Sequence, residues 1–241
     1  MSNLSPLEKK GELPSPPTVP WTPQDVFFGL VSAVGIIILL AVVSGLMNRW
    51  GLVIDPSLTV TGGTLLLLVP VWYFTIFKYG SSWADLGLRA FSPTATGLGC
   101  GLMVIFFLFN ALYGAILGQF GLQIQPSIAP IFESSSFPLT LFMGGAIIAP
   151  LIEEIFFRGF VFAGLRRRWD WKAAAIISAG LFGLAHILPT SILPIFLLGG
   201  IFALLYQFSG SIWPAILMHA LTNTMALSVA YAMSQGWVPS S

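Results

Sequence analysis

The stretch Glu153-Glu154-Ile155-Phe156-Phe157-Arg158 decides how the rest of this chain is read, because it places three charges inside an apolar run. That run covers roughly residues 139 to 163, enough for the ~20 residues a helix needs to cross the hydrocarbon of a bilayer. A charged side chain at that depth costs about 2.5 to 3.5 kcal/mol on insertion scales, so such groups face the bundle interior, find partners or do work. Glu154 and Arg158 are four apart on one helix face, which predicts an ion pair. Glu153 points about 100° away, because a helix turns once per 3.6 residues, and has no charge partner on its own helix. A buried carboxylate without a counterion is a candidate for chemistry.

Composition extends this reading to the whole chain. Of 241 residues, 56% are hydrophobic and 8% charged, with mean hydropathy +0.89; soluble domains run nearer a quarter charged. Net charge is +1, which gives no basis for a nucleic-acid partner. Cys100 stands alone, so an internal disulfide is excluded. Further apolar runs lie at roughly 25 to 48, 58 to 77, 95 to 118, 173 to 188, 191 to 208 and 211 to 233. The expectation is an all-α, polytopic membrane bundle of about seven transmembrane helices, with the catalytic core in the C-terminal four. The fifth run is short and leads into Leu188-Pro189-Thr190 and Pro194, which predicts a kinked or re-entrant region.

Residues 1–22 hold Lys9, Lys10 and a Pro-rich stretch, and the apolar run that follows is too long for a signal peptide. They are expected to form a disordered tail. Residues 23–135 are expected to hold the N-terminal transmembrane helices, and 136–235 the catalytic core. With seven spans, Lys9, Lys10, Lys78, Arg89, Arg166, Arg167, Arg168 and Lys172 fall on one side and Arg49 on the other. The positive-inside rule then predicts a multi-pass plasma membrane protein with a cytoplasmic N-terminus. Asp25, Asp55, Asp85, Glu133 and Asp170 fall at or beyond span ends and read as solvated.

His186 and His219 are the chain's histidines, and each sits in an apolar run; His219 and Asn223 share a helix face. Measured from the basic loops at 1.5 Å per residue, Glu153, His186 and Asn223 all lie ~20 Å deep and His219 ~15 Å. Polar groups from three separate spans thus meet at one level. Glu153 and His186 could activate water, with His219 and Asn223 stabilising an oxyanion. A divalent metal such as zinc on Glu153, His186 and His219 is the rival arrangement, and the residues alone leave both open. Phe182 reads as packing, and Glu154 with Arg158 as structural support.

Glu153-Glu154-x-x-x-Arg158, Phe182-x-x-x-His186 and His219-x-x-x-Asn223, in that order, resemble the three-motif signature of the CPBP family. That family comprises type II CAAX prenyl endopeptidases and bacteriocin-processing or self-immunity (Abi-type) membrane proteases. The resemblance covers residues 139 to 225. It implies an intramembrane endopeptidase with Glu153 and His186 at the water-activating positions, and His219 and Asn223 at those assigned to the oxyanion or metal. It also implies membrane lipids and a peptide or protein substrate, prenylated in some members, as partners. The alternative is a non-catalytic immunity or scaffold protein, or an ion or proton pathway built from the same groups.

Overall fold

The computed structural model describes residues 16–52 and 54–238. Its helices are α1 (Pro23–Arg49), α2 (Ser57–Phe77), α3 (Pro93–Gly118), α4 (Ala129–Ser134), α5 (Pro138–Leu165), α6 (Trp171–Ala185), α7 (Pro189–Ser209) and α8 (Trp213–Ser234). Among the described residues there is no strand, and every helix except α4 and α6 is long and apolar enough to cross a membrane. The chain is a multi-pass membrane protein. The outer faces show why: Ile37, Ile38, Leu39, Val104, Ile105 and Leu108 are all exposed, an arrangement that lipid accommodates and water does not.

Helix starts follow from local chemistry. Thr22 accepts from the Asp25 N–H while the Asp25 carboxylate accepts from the Thr22 N–H, a reciprocal cap. Asp55, Ser92 and Asp170 cap α2, α3 and α6. As expected, the fifth apolar helix is short: α6 has fifteen residues and rises ~22 Å. α7 runs continuously from Pro189 to Ser209 with Pro194 inside it.

Two loop clusters define the ends of the bundle. At one end, Ile212 donates to the Gly87 carbonyl at 2.9 Å and the Ser211 hydroxyl to that of Arg89 at 2.7 Å. Leu86 is fully buried there, and its carbonyl lies against Gly159, where a Cβ would approach it to 2.6 Å. Arg167 donates to the carbonyls of Val19 and Pro20 at the same end. Lys78, Arg89 and Arg166 to Lys172 therefore gather on one side of the fold, as the seven-span reading requires. At the other end, Thr190 donates to Ile124 and Tyr113 to Thr190.

Two expectations are corrected here, those for residues 16–22 and for Asp25. Residues 16–22 are not a free tail: Val19 and Trp21 are buried, and the Trp21 indole donates to the Phe160 carbonyl at 3.0 Å. Residues 1–15 lie outside the described residues. Asp25 is not solvated but 3% exposed, paired with Lys78 and accepting from the Tyr79 hydroxyl at 2.8 Å. Asp55 ties two loops, accepting from the Ser57 and Ser136 N–H groups and from the Ser135 hydroxyl.

Hydrogen bonds to Asp55, that from Ser57 foremost, hold its carboxyl down at about 2. Its unfolded value is about 3.9. The stability it contributes is therefore complete above the unfolded value and disappears as pH falls from about 4 through 2. Thermal unfolding of purified protein across pH 6 to 2 should show this loss, and Asp55→Asn should flatten the acid limb of the curve.

Candidate active site

The fourth span departs from regular α-helix on both sides of its carboxylates. Residues Gly144–Ile148 and Ile155–Phe162 form π-helical turns, flanking the α-helical turn Ala149–Glu154. Pro150 accounts for the first. The Ala149 N–H reaches back to the Gly144 carbonyl, so the next carbonyl, Gly145, would await an N–H from residue 150, which proline lacks. Asn223 of α8 fills the position, donating its Nδ2 to the Gly145 oxygen at 2.9 Å. Asn223 thereby fastens α8 to the break in α5. In the second π stretch, neighbours insert in the same way, with the Ser178 hydroxyl donating to Phe157 and Trp21 to Phe160.

Between these breaks, Glu154, Arg158 and His219 form one buried network. Arg158 donates to Glu154 Oε1 at 3.0 Å and to the Gly199 carbonyl at 3.0 Å, and both charged side chains are wholly buried. Gly199 permits this, since a Cβ there would crowd the guanidinium at 3.2 Å. The guanidinium also lies over the rings of Phe182 at 4.5 Å and Phe202 at 5.2 Å. His219 meets the same carboxylate oxygen, with Nδ1 2.9 Å from Glu154 Oε1. Glu154 is the acceptor, so Nδ1 carries the proton. Nε2 then faces Glu153 Oε2 at 3.8 Å, beyond direct hydrogen-bonding reach. Phe202 stacks on His219 at 5.0 Å and fixes the ring plane.

The expected ion pair between Glu154 and Arg158 is present, but Glu154 also orients His219, a contact that spacing along one helix had no means of showing. Glu153 has no partner on its own helix, as expected, and confronts His219; its Oε2 is buried and takes no hydrogen bond from the described residues. His186 is placed differently from the expectation. It caps α6, is exposed, and its Nδ1 donates to the Phe182 carbonyl at 2.8 Å. Among the described residues no hydrogen bond or ion pair joins it to Glu153 or His219. Phe182 links the two histidines instead, its ring edge-on to His186 at 4.9 Å and to His219 at 5.6 Å. Ile187, next in sequence, has φ +65°, a left-handed conformation costly for a β-branched residue; strain of this kind concentrates at functional sites.

The metal arrangement does not fit these positions. Among the described residues, no three His, Cys, Asp or Glu side chains are grouped closely enough to hold a metal ion, so Glu153, His186 and His219 do not form a ligand set here. Asn223, expected at the oxyanion, has one amide hydrogen committed to Gly145. The signal for that role was Pro150, visible in the sequence but informative only once α8 lies beside it.

Residues 135–225 match the family model described as "Rce1-like: Type II CAAX prenyl endopeptidase Rce1-like". This stretch is similar to that family. A similar protein is the "Putative membrane peptidase YdiL" of Bacillus subtilis (strain 168), 33% identical over 82 residues, which are 34% of this chain and 34% of that protein. The chain thus matches about a third of the length of that relative. No solved structure matches the chain. The matched stretch contains every residue of the Glu153–Glu154–Arg158–His219 cluster as well as Phe182, His186 and Asn223.

Arg158→Ala strands Glu154 in an apolar interior and should cost about 3 to 5 kcal/mol; a thermal unfolding midpoint equal to the parent's would refute the pairing. Asn223→Ala orphans the Gly145 carbonyl and should cost about 1 to 3 kcal/mol. Asn223→Gln should recover part of that loss, measured in the same unfolding assay.

Proposed function

We propose that the chain is an intramembrane endopeptidase in which Glu153 activates the attacking water. The observation that carries this reading is the placement of His219 between two adjacent carboxylates, with Nδ1 held by Glu154 and Nε2 turned to Glu153. In such a site Glu153 takes a proton from water as its oxygen adds to the scissile carbonyl carbon, and returns that proton to the leaving amine nitrogen. Glu154 holds His219 through Nδ1, and a proton on Nε2 makes that nitrogen a donor for the developing oxyanion. Glu154 and Arg158 hold the imidazole in place, and Phe182 and Phe202 keep the surroundings dry, which strengthens each interaction.

No step is routed through a metal. The substrate we propose is a membrane-associated peptide, with a prenylated CAAX peptide as the first candidate because of the family model's description. A bacteriocin or leader peptide is the second. We place the basic end of the bundle on the cytoplasmic side by the positive-inside rule. The ion-pathway alternative needs polar groups in series across both leaflets; Glu153, Glu154, Arg158 and His219 are one cluster walled by phenyl rings, which supports hydrolysis over transport.

The test uses purified full-length protein in nanodiscs with two fluorogenic probes, an S-farnesylated CAAX peptide and an unprenylated transmembrane peptide. Glu153→Gln should lower kcat on whichever probe is cleaved by about 10²–10⁴-fold while leaving the unfolding midpoint within a few degrees of the parent. Cleavage at the parental rate by that variant would end the assignment of Glu153. Stoichiometric zinc, with activity lost on chelation and restored by zinc alone, would replace this mechanism by a metal-assisted one.

A further inference from the structure

At the basic end of the bundle, a cavity of about 600 Å³ lies where residues Pro17 to Pro20 cross the end of α5; its other walls are Ala163, Arg166 and Arg167. The two arginines are used differently. Arg167 donates to the Val19 and Pro20 carbonyls at 3.2 and 2.7 Å, which fastens the segment that forms the wall. Arg166 has no carboxylate partner among the described residues. Its guanidinium lies over the Phe162 ring at 5.7 Å, half-buried. Burial lowers its proton affinity, with the nearby Tyr206 acting in the opposite sense.

We propose that this cavity is a binding site for the phosphodiester headgroup of an anionic phospholipid, with Arg166 as its principal ligand. A half-buried cation without a counterion is costly, and the carbonyls that could offset it are already engaged by Arg167. A guanidinium fork matches a phosphate oxygen pair in geometry and charge. The volume falls within the ~300–1,000 Å³ of ordinary small-ligand pockets. Position favours lipid as the source: the cavity sits at the end of α5, where the apolar span Pro138–Leu165 gives way to Arg166 and Arg167, the place at which a spanning helix meets the headgroup region. Basic pockets where a span meets the cytoplasmic leaflet attract anionic lipids.

The test measures thermal unfolding of the full chain, delipidated in neutral detergent, titrated with phosphatidylglycerol, phosphatidylcholine or inorganic phosphate. Phosphatidylglycerol should raise the midpoint by several degrees and phosphatidylcholine should not. Arg166→Gln should weaken the phosphatidylglycerol effect at least fivefold in concentration, Arg166→Lys should keep part of it, and Arg168→Gln, outside the cavity, should keep it all. Should Arg166→Gln fail to fold, native mass spectrometry of the parent and of Arg166→Lys decides, with retained phosphatidylglycerol expected on the parent and depleted on the variant. Equal stabilisation of parent and Arg166→Gln, equal retention by parent and Arg166→Lys, or stabilisation by inorganic phosphate matching that by lipid would overturn the proposal.

Discussion

One oxygen atom organises the interior of this protein. Glu154 Oε1 receives both the Arg158 guanidinium and the His219 imidazole, and all three side chains are buried. Buried ion pairs are poor evidence for stability, because desolvating two charges offsets most of their attraction. Their consequence is specificity: α5 and α8 have one register in which Glu154, Arg158 and His219 all find partners, and the Gly199 carbonyl brings α7 into the same arrangement. A shift of one residue along any of these helices would leave a charge unpaired in hydrocarbon-like surroundings.

The backbone of α5 makes that convergence feasible. A regular helix through Pro150 would meet a clash and an unfilled carbonyl; the wider turns before and after the carboxylates absorb the break and open gaps into which other chains place donors. Asn223, Ser178 and Trp21 each satisfy or reinforce an α5 carbonyl from a different segment. Irregular backbone at bilayer depth is tolerated where protein covers it, and here the cover comes from α6, α8 and the segment ahead of α1. Residues 16–22 thus belong to the folded unit, although their composition resembles a linker.

The aromatic residues around the network have a comparable double role. Phe182 and Phe202 exclude water and also present ring faces to Arg158 and His219, giving charged groups favourable contacts that an aliphatic wall would not provide. Phe182 additionally carries His186 on its own carbonyl and against its ring edge. The histidine that the motif order pairs with Glu153 is therefore attached to the site through one phenylalanine, at a helix end followed by a strained residue. The distance between His186 and the carboxylates is set by where α6 stops.

Much of the fold was legible in the chain. Apolar run lengths gave the helices, basic residues gave the end at which loops 78–92 and 166–170 gather, and the i, i+4 rule gave the Glu154–Arg158 pair. The lone Glu153 followed from the same helical geometry. These are local properties, fixed by the cost of placing charge and unpaired backbone in lipid. What the tertiary structure decided are contacts between groups distant in sequence: His219 on Glu154 rather than only beside Glu153, Asn223 on the carbonyl that Pro150 leaves open, Asp25 on Lys78, and Trp21 on Phe160. Periodicity reports which face of a helix a residue occupies, but not which side chain stands opposite, because that depends on how several helices pack in depth and rotation at once.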